Sequence, residues 1–62
     1  MKEKLKELRA RKKMTQEDLA AASGVSRATI AAIESGATES TTVGTVKKLA
    51  EALGTTPSNL LR

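Results

Sequence analysis

The sequence predicts an all-α fold, a compact bundle of five short helices, and three observations carry that expectation. Apolar residues recur at spacings of three and four: Leu5 and Leu8, Ile30 and Ile33, then Val46, Leu49 and Leu53. Thr15, Ser26, Thr42 and Thr56 stand where side-chain oxygens can cap helix starts, while Gly24, Gly36 and Gly54 stand where helices can end. The chain has no Phe, Tyr or Trp, so its core must be built from Leu, Ile, Val, Met and Ala. That palette suits short helices in close approach.

The first helix is expected from about Lys2 to Lys13, with Leu5 and Leu8 facing inward and Met14 just past its end. Lys2, Lys4 and Lys6 read as a solvated face, and Arg11, Lys12 and Lys13 complement the helix dipole at its C-terminal end. Arg9 lies among the inward positions. Thr15 caps the second helix, with Asp18 three residues on where a capping box usually carries Glu, and Glu17 and Asp18 suit the positive end of the dipole. Leu19 and Ala22 continue this helix, Ala20 is small enough to let the next helix approach, and Gly24 ends it. Ser26 caps the third helix, which places Ile30 and Ile33 on one face and stops at Gly36; Val25 packs in the turn between the two. Residues 15–36 therefore form two short helices around a glycine turn, a helix-turn-helix pattern.

The stretch ATESTT, residues 37–42, is expected as a polar loop. A fourth helix from Val43 to Leu53 carries the stripe Val43, Val46, Leu49, Ala50 and Leu53, with Gly44 weakening its first turn by about 1 kcal/mol relative to Ala. Gly54 closes it. Thr56 and Pro57 then open a short fifth helix that ends in Leu60 and Leu61.

Sixty-two residues suit one small domain, 1–62. Cys and His are absent, which excludes disulfides, makes a metal site unexpected and fits a cytoplasmic home. No window approaches the roughly 18 apolar residues of a membrane span, and the thin Leu5–Leu8 stripe does not suit membrane anchoring. The net charge of +4 suits a nucleic-acid partner and equally a soluble protein. Without aromatic side chains, stacking on single-stranded bases is excluded.

The segment T-Q-E-D-L-A-x-x-x-G-V-S-x-x-T-I-x-x-I-E-x-G, from Thr15 to Gly36, resembles the helix-turn-helix of the Cro and lambda-repressor-like family, the xenobiotic-response-element type. L-x-x-L-R at residues 5–9 and L-A-x-A-L-G at residues 49–54 extend the resemblance over nearly the whole chain. It implies a lambda-repressor-like DNA-binding domain whose recognition helix, 26–35, enters the major groove. Base edges would then be met by Ser26, Arg27, Ala28, Ala31 and Ala32, and phosphates by Gln16, Thr29, Ser35, Lys12 and Lys13. The resemblance also implies a structural ion pair between Arg9 and Glu34, and a homodimer; the region of Leu60, Leu61 and the end of the fourth helix is the expected surface for it, with Leu60 packing inward to close the core as the alternative. Two departures stand out: three of the outward positions are alanine, and the loop after Gly36 carries Glu39 but no Lys or Arg.

Two functional classes follow. The first is a sequence-specific duplex-DNA-binding transcriptional regulator, repressor-like. The alternative is a protein-interaction module or idealised scaffold of the same fold, with weak or no specific DNA binding. An enzyme is not expected: there is no His, Cys or glycine-rich phosphate loop, and the acids are scattered. Nothing in the residues calls for a cofactor or a small-molecule ligand.

Overall fold

Among the described residues, five helices follow one another without a strand: α1 (Lys2–Arg11), α2 (Gln16–Ser23), α3 (Arg27–Ser35), α4 (Val43–Ala52) and α5 (Pro57–Leu60). The computed structural model describes residues 1–37 and 41–61, so the loop residue Glu39 lies outside them. Each start from α2 onward is set by a hydroxyl. Thr15, Ser26, Thr42 and Thr56 accept from the backbone N–H of Asp18, Thr29, Thr45 and Asn59. At Thr15 the box is reciprocal, since Asp18 Oδ2 accepts the Thr15 N–H at 2.9 Å. The shorter acid therefore reaches as Glu would.

The ends of α1, α3 and α4 share one pair of backbone bonds, in which the left-handed residue reaches back three positions and its successor reaches back five. Gly36 and Ala37 close α3 on Ile33 and Ala32 (3.2 and 3.0 Å), and Gly54 and Thr55 close α4 on Glu51 and Ala50 (3.2 and 2.9 Å). Lys13 and Met14 close α1 in the same way on Ala10 and Arg9, both at 3.0 Å. The left-handed residue is glycine in two of these motifs, with φ of 79° and 67°, and lysine in the third, with φ of 55°. The expected continuation of the first helix to Lys13 is thus corrected: the helix stops at Arg11 because Lys13 has turned left-handed.

The core takes Leu5 from α1, Leu19 from α2, Val25 from the turn and Ile30 and Ile33 from α3. Val46, Leu49, Ala50, Leu53 and Leu60 complete it from the C-terminal half. Each fully buried Leu or Ile contributes about 1.5–3 kcal/mol, a large share of the stability of so small a protein. α3 packs on α1 and α2, α2 also meets α4, and α5 lies on α4. Ser23 ties the turn between α2 and α3: its hydroxyl donates to the Leu19 carbonyl at 2.7 Å and accepts the Val25 N–H at 3.1 Å.

Two expectations for the C-terminal half change. Val43 is 81% exposed rather than part of the buried stripe, because it occupies the first position of α4 at the stripe's edge, one turn before Val46. The dimer surface expected at Leu60 and Leu61 loses Leu60, which takes the alternative placement: it is completely buried because α5 turns it inward to close the core, which leaves Leu61 exposed at 59%.

Gly44 is exposed, has an ordinary φ, and a methyl added there would meet only Thr42 Oγ1, at 4.0 Å. Glycine is therefore present where the backbone does not require it and absent at Lys13, where it does. Lys13→Gly and Gly44→Ala are each expected to stabilise the fold by about 0.5–1 kcal/mol. Urea denaturation of both variants measures this, and a loss of stability in Lys13→Gly would contradict the strain argument.

Candidate nucleic-acid interface

α3 divides into two faces. Ile30, Ile33 and Glu34 are buried, while Arg27, Ala28 and Ser35 are exposed and Ala31 and Ala32 are half-buried on the opposite side. Ser26, exposed at the helix start, caps the Thr29 N–H at 3.2 Å, and its hydroxyl bonds that of Thr29 at 2.8 Å. Arg27 is the one long hydrogen-bond donor on the outward face.

The orientation of that face is set from behind by a carboxylate. Glu34 is only 3% exposed and receives three side-chain hydrogen bonds: Arg9 Nε at 2.8 Å, Arg9 Nη2 at 3.0 Å and Gln16 Nε2 at 3.2 Å. Arg9 Nη1 donates to the Met14 carbonyl at 2.7 Å. One guanidinium therefore joins α1, the α1–α2 turn and the C-terminal end of α3, with bidentate geometry on the acid. Among the described residues no buried side-chain polar atom lacks a partner.

Burial alone pushes the Glu34 carboxyl upward. The hydrogen bonds from Arg9 and Gln16, with the charges of Arg9 and Lys6, outweigh it and hold the group below the ordinary glutamate range. The hydrogen bond to Glu34 likewise outweighs burial at Arg9 and raises it above its usual value.

The residues assigned to phosphate by resemblance are placed in different ways. Gln16 stands at the first position of α2 with one amide hydrogen committed to Glu34, and the other hydrogen and the oxygen have no partner among the described residues. Thr29 is engaged with Ser26, and Ser35 donates to the Ala32 carbonyl at 3.1 Å and accepts the Ala37 N–H at 3.3 Å. Lys12 lies over the turn after α4, where a Cβ on Gly54 would sit 3.5 Å from its Nζ. Lys13 is exposed at the left-handed end of α1. Sequence reasoning missed the bonds of Arg9 to Met14 and of Gln16 to Glu34, for which no local pattern existed. It also missed Ser23, where a serine beside the turn glycine was a usable signal.

Residues 5–60 match the family described as helix-turn-helix. The chain belongs to that family, of the xenobiotic-response-element and lambda-repressor-like type. The family is one of DNA-binding regulators rather than enzymes. No curated protein and no solved structure matches the chain. No helix among the described residues is long and apolar enough to cross a membrane.

Because Glu34 titrates lower in the folded chain than in the unfolded one, its contribution is complete above the unfolded value and is lost as pH falls through the folded one. Stability in urea is therefore expected to drop on acidification below about pH 4, and Glu34→Gln to flatten that part of the profile. At neutral pH, Arg9→Met strands a buried charge and is expected to cost about 3 kcal/mol or more, most of it recovered in Arg9→Met/Glu34→Leu. A double variant as unstable as Arg9→Met would rule out the stranded charge as the cause.

Proposed function

We propose that this chain is a sequence-specific, duplex-DNA-binding transcriptional regulator of the repressor type, a single helix-turn-helix domain over residues 1–62 acting in the cytoplasm. The observation that carries this reading is the anchored α3. Its inner face is fixed by Ile30, Ile33 and the Arg9–Glu34–Gln16 cluster, while the outward face carries Arg27 as its one long side chain beside the small Ala28, Ala31, Ala32 and Ser35. A rigid helix with a low outer face suits insertion into the major groove, with its N-terminal residues at base edges.

In that arrangement Arg27 reads a guanine through O6 and N7, and the alanine methyls touch thymine methyl groups. Ser26 lies beside Arg27 at the leading end. Gln16 offers its uncommitted amide group to phosphate, assisted by the free backbone amides of the α2 start. Lys13, Thr29, Ser35 and Lys12 add backbone contacts, with Lys12 requiring its long chain to leave the Gly54 turn. A second copy of the chain, joined near exposed Leu61, places two recognition helices on an inverted repeat with half-sites about one helical turn apart. Occupying such an operator blocks or recruits polymerase.

The run of alanines on α3 favours the other reading, an interaction or scaffold module without specific DNA binding. Selection from random duplex DNA followed by sequencing separates the two. The regulator is expected to enrich a palindrome, and Arg27→Ala to abolish preference at one guanine per half-site, worth about 1–3 kcal/mol. Absence of any enriched sequence would leave the scaffold reading standing.

A further inference from the structure

The basic residues of α1 fall on two flanks that the structure treats differently. Lys4 and Arg11 lie on one flank and share Glu7, at 3.8 and 3.0 Å. Lys2, Lys6 and Arg9 occupy the other, at successive helical spacings of four and three, and this flank faces the end of α3. Lys2 lies along Gly36: a Cβ built there would sit 3.4 Å from both its Cδ and its Nζ. Lys6 is close enough to Glu34 for its charge to act on that carboxylate. Among the described residues neither Lys2 nor Lys6 has a carboxylate within ion-pair distance. Three cations thus meet one buried acid beside the C-terminus of α3. The helix dipole there offsets only about half a unit charge.

We propose that the Lys2–Lys6 flank of α1 is a phosphate-binding surface on which the DNA backbone continues beyond the end of α3. This rests on the regulator reading above. Charge complementarity selects the occupant: two ammonium groups without a carboxylate partner among the described residues, one of them against Gly36 at the cap of the recognition helix, suit a polyanion running along that helix. Residues 37–42, next in the chain, carry no Lys or Arg, and the described cations beside the end of α3 come from α1. With Arg27 the one long donor on the outer face, affinity must come mainly from such backbone contacts.

The test compares two variants of equal net charge, Lys2→Gln/Lys6→Gln and Lys4→Gln/Arg11→Gln, by salt titration of binding to duplex DNA, with thermal melts to confirm folding. The first variant is expected to reduce the slope of log affinity against log salt by about 2, weakening all sequences alike and leaving the selected preference intact. The second is expected to change the slope by well under half as much. Equal reductions in both would show a bulk-charge effect and overturn the proposal, as would an unchanged slope in the first. In both those outcomes the Arg27-dependent preference survives. A wild-type chain that binds no duplex at all overturns the regulator reading together with this one.

Discussion

The arrangement of α1, α2 and α3 depends on one buried carboxylate. Glu34 sits at the end of a helix whose other inward residues are isoleucines, in a site that by itself favours the neutral acid. It stays charged because Arg9 donates two hydrogen bonds to the acid and Gln16 adds a third. Those donors come from two different helices, so the carboxylate is satisfied in only one relative placement of α1, α2 and α3. A hydrophobic contact tolerates sliding, whereas a bidentate pair tolerates very little. The cluster contributes more to a fixed geometry than to net stability, since an apolar replacement of the whole pair could match it in energy.

Around this cluster, polar side chains are used mostly within the fold. Thr15, Ser26, Thr42 and Thr56 cap helices, and Ser23 and Ser35 complete turns. The outer face of α3 is consequently sparse in donors, while positive charge accumulates on α1. The one long donor of the outer face, Arg27, stands on α3, whereas five cations stand on α1.

What was legible in the sequence was local. A capping hydroxyl acts on a backbone N–H three residues away, so Thr15 with Asp18 and Ser26 with Thr29 declare themselves within a few letters. The helical period of Ile30 and Ile33 gives the inner face of α3 directly. What was not legible depended on groups distant in sequence or on a competition between positions. Lys13 looks like one more cation of a helix, and only the bonds from Lys13 and Met14 back to Ala10 and Arg9 show the chain reversing hand there. Leu60 and Leu61 are identical letters, and the direction in which α5 docks on α4 decides which is covered. Lys12 and Lys13 are neighbours too, yet one lies over Gly54 and the other does not. For the site, the helix that presents it was readable, whereas the commitment of Gln16 to Glu34 required three-dimensional proximity.

The separation of the two faces of α3 also bears on how this protein can change over generations. The buried anchors of the helix, Ile30, Ile33 and Glu34, lie on one side, and the outer side carries the methyl groups of Ala28, Ala31 and Ala32. Exchanging exposed Ala28 for a longer polar residue adds volume toward solvent and removes nothing from the core. Position 28 can therefore change in size and polarity while the buried anchors of the helix stay in place. On such a helix, novelty in recognition is decoupled from the survival of the scaffold that carries it.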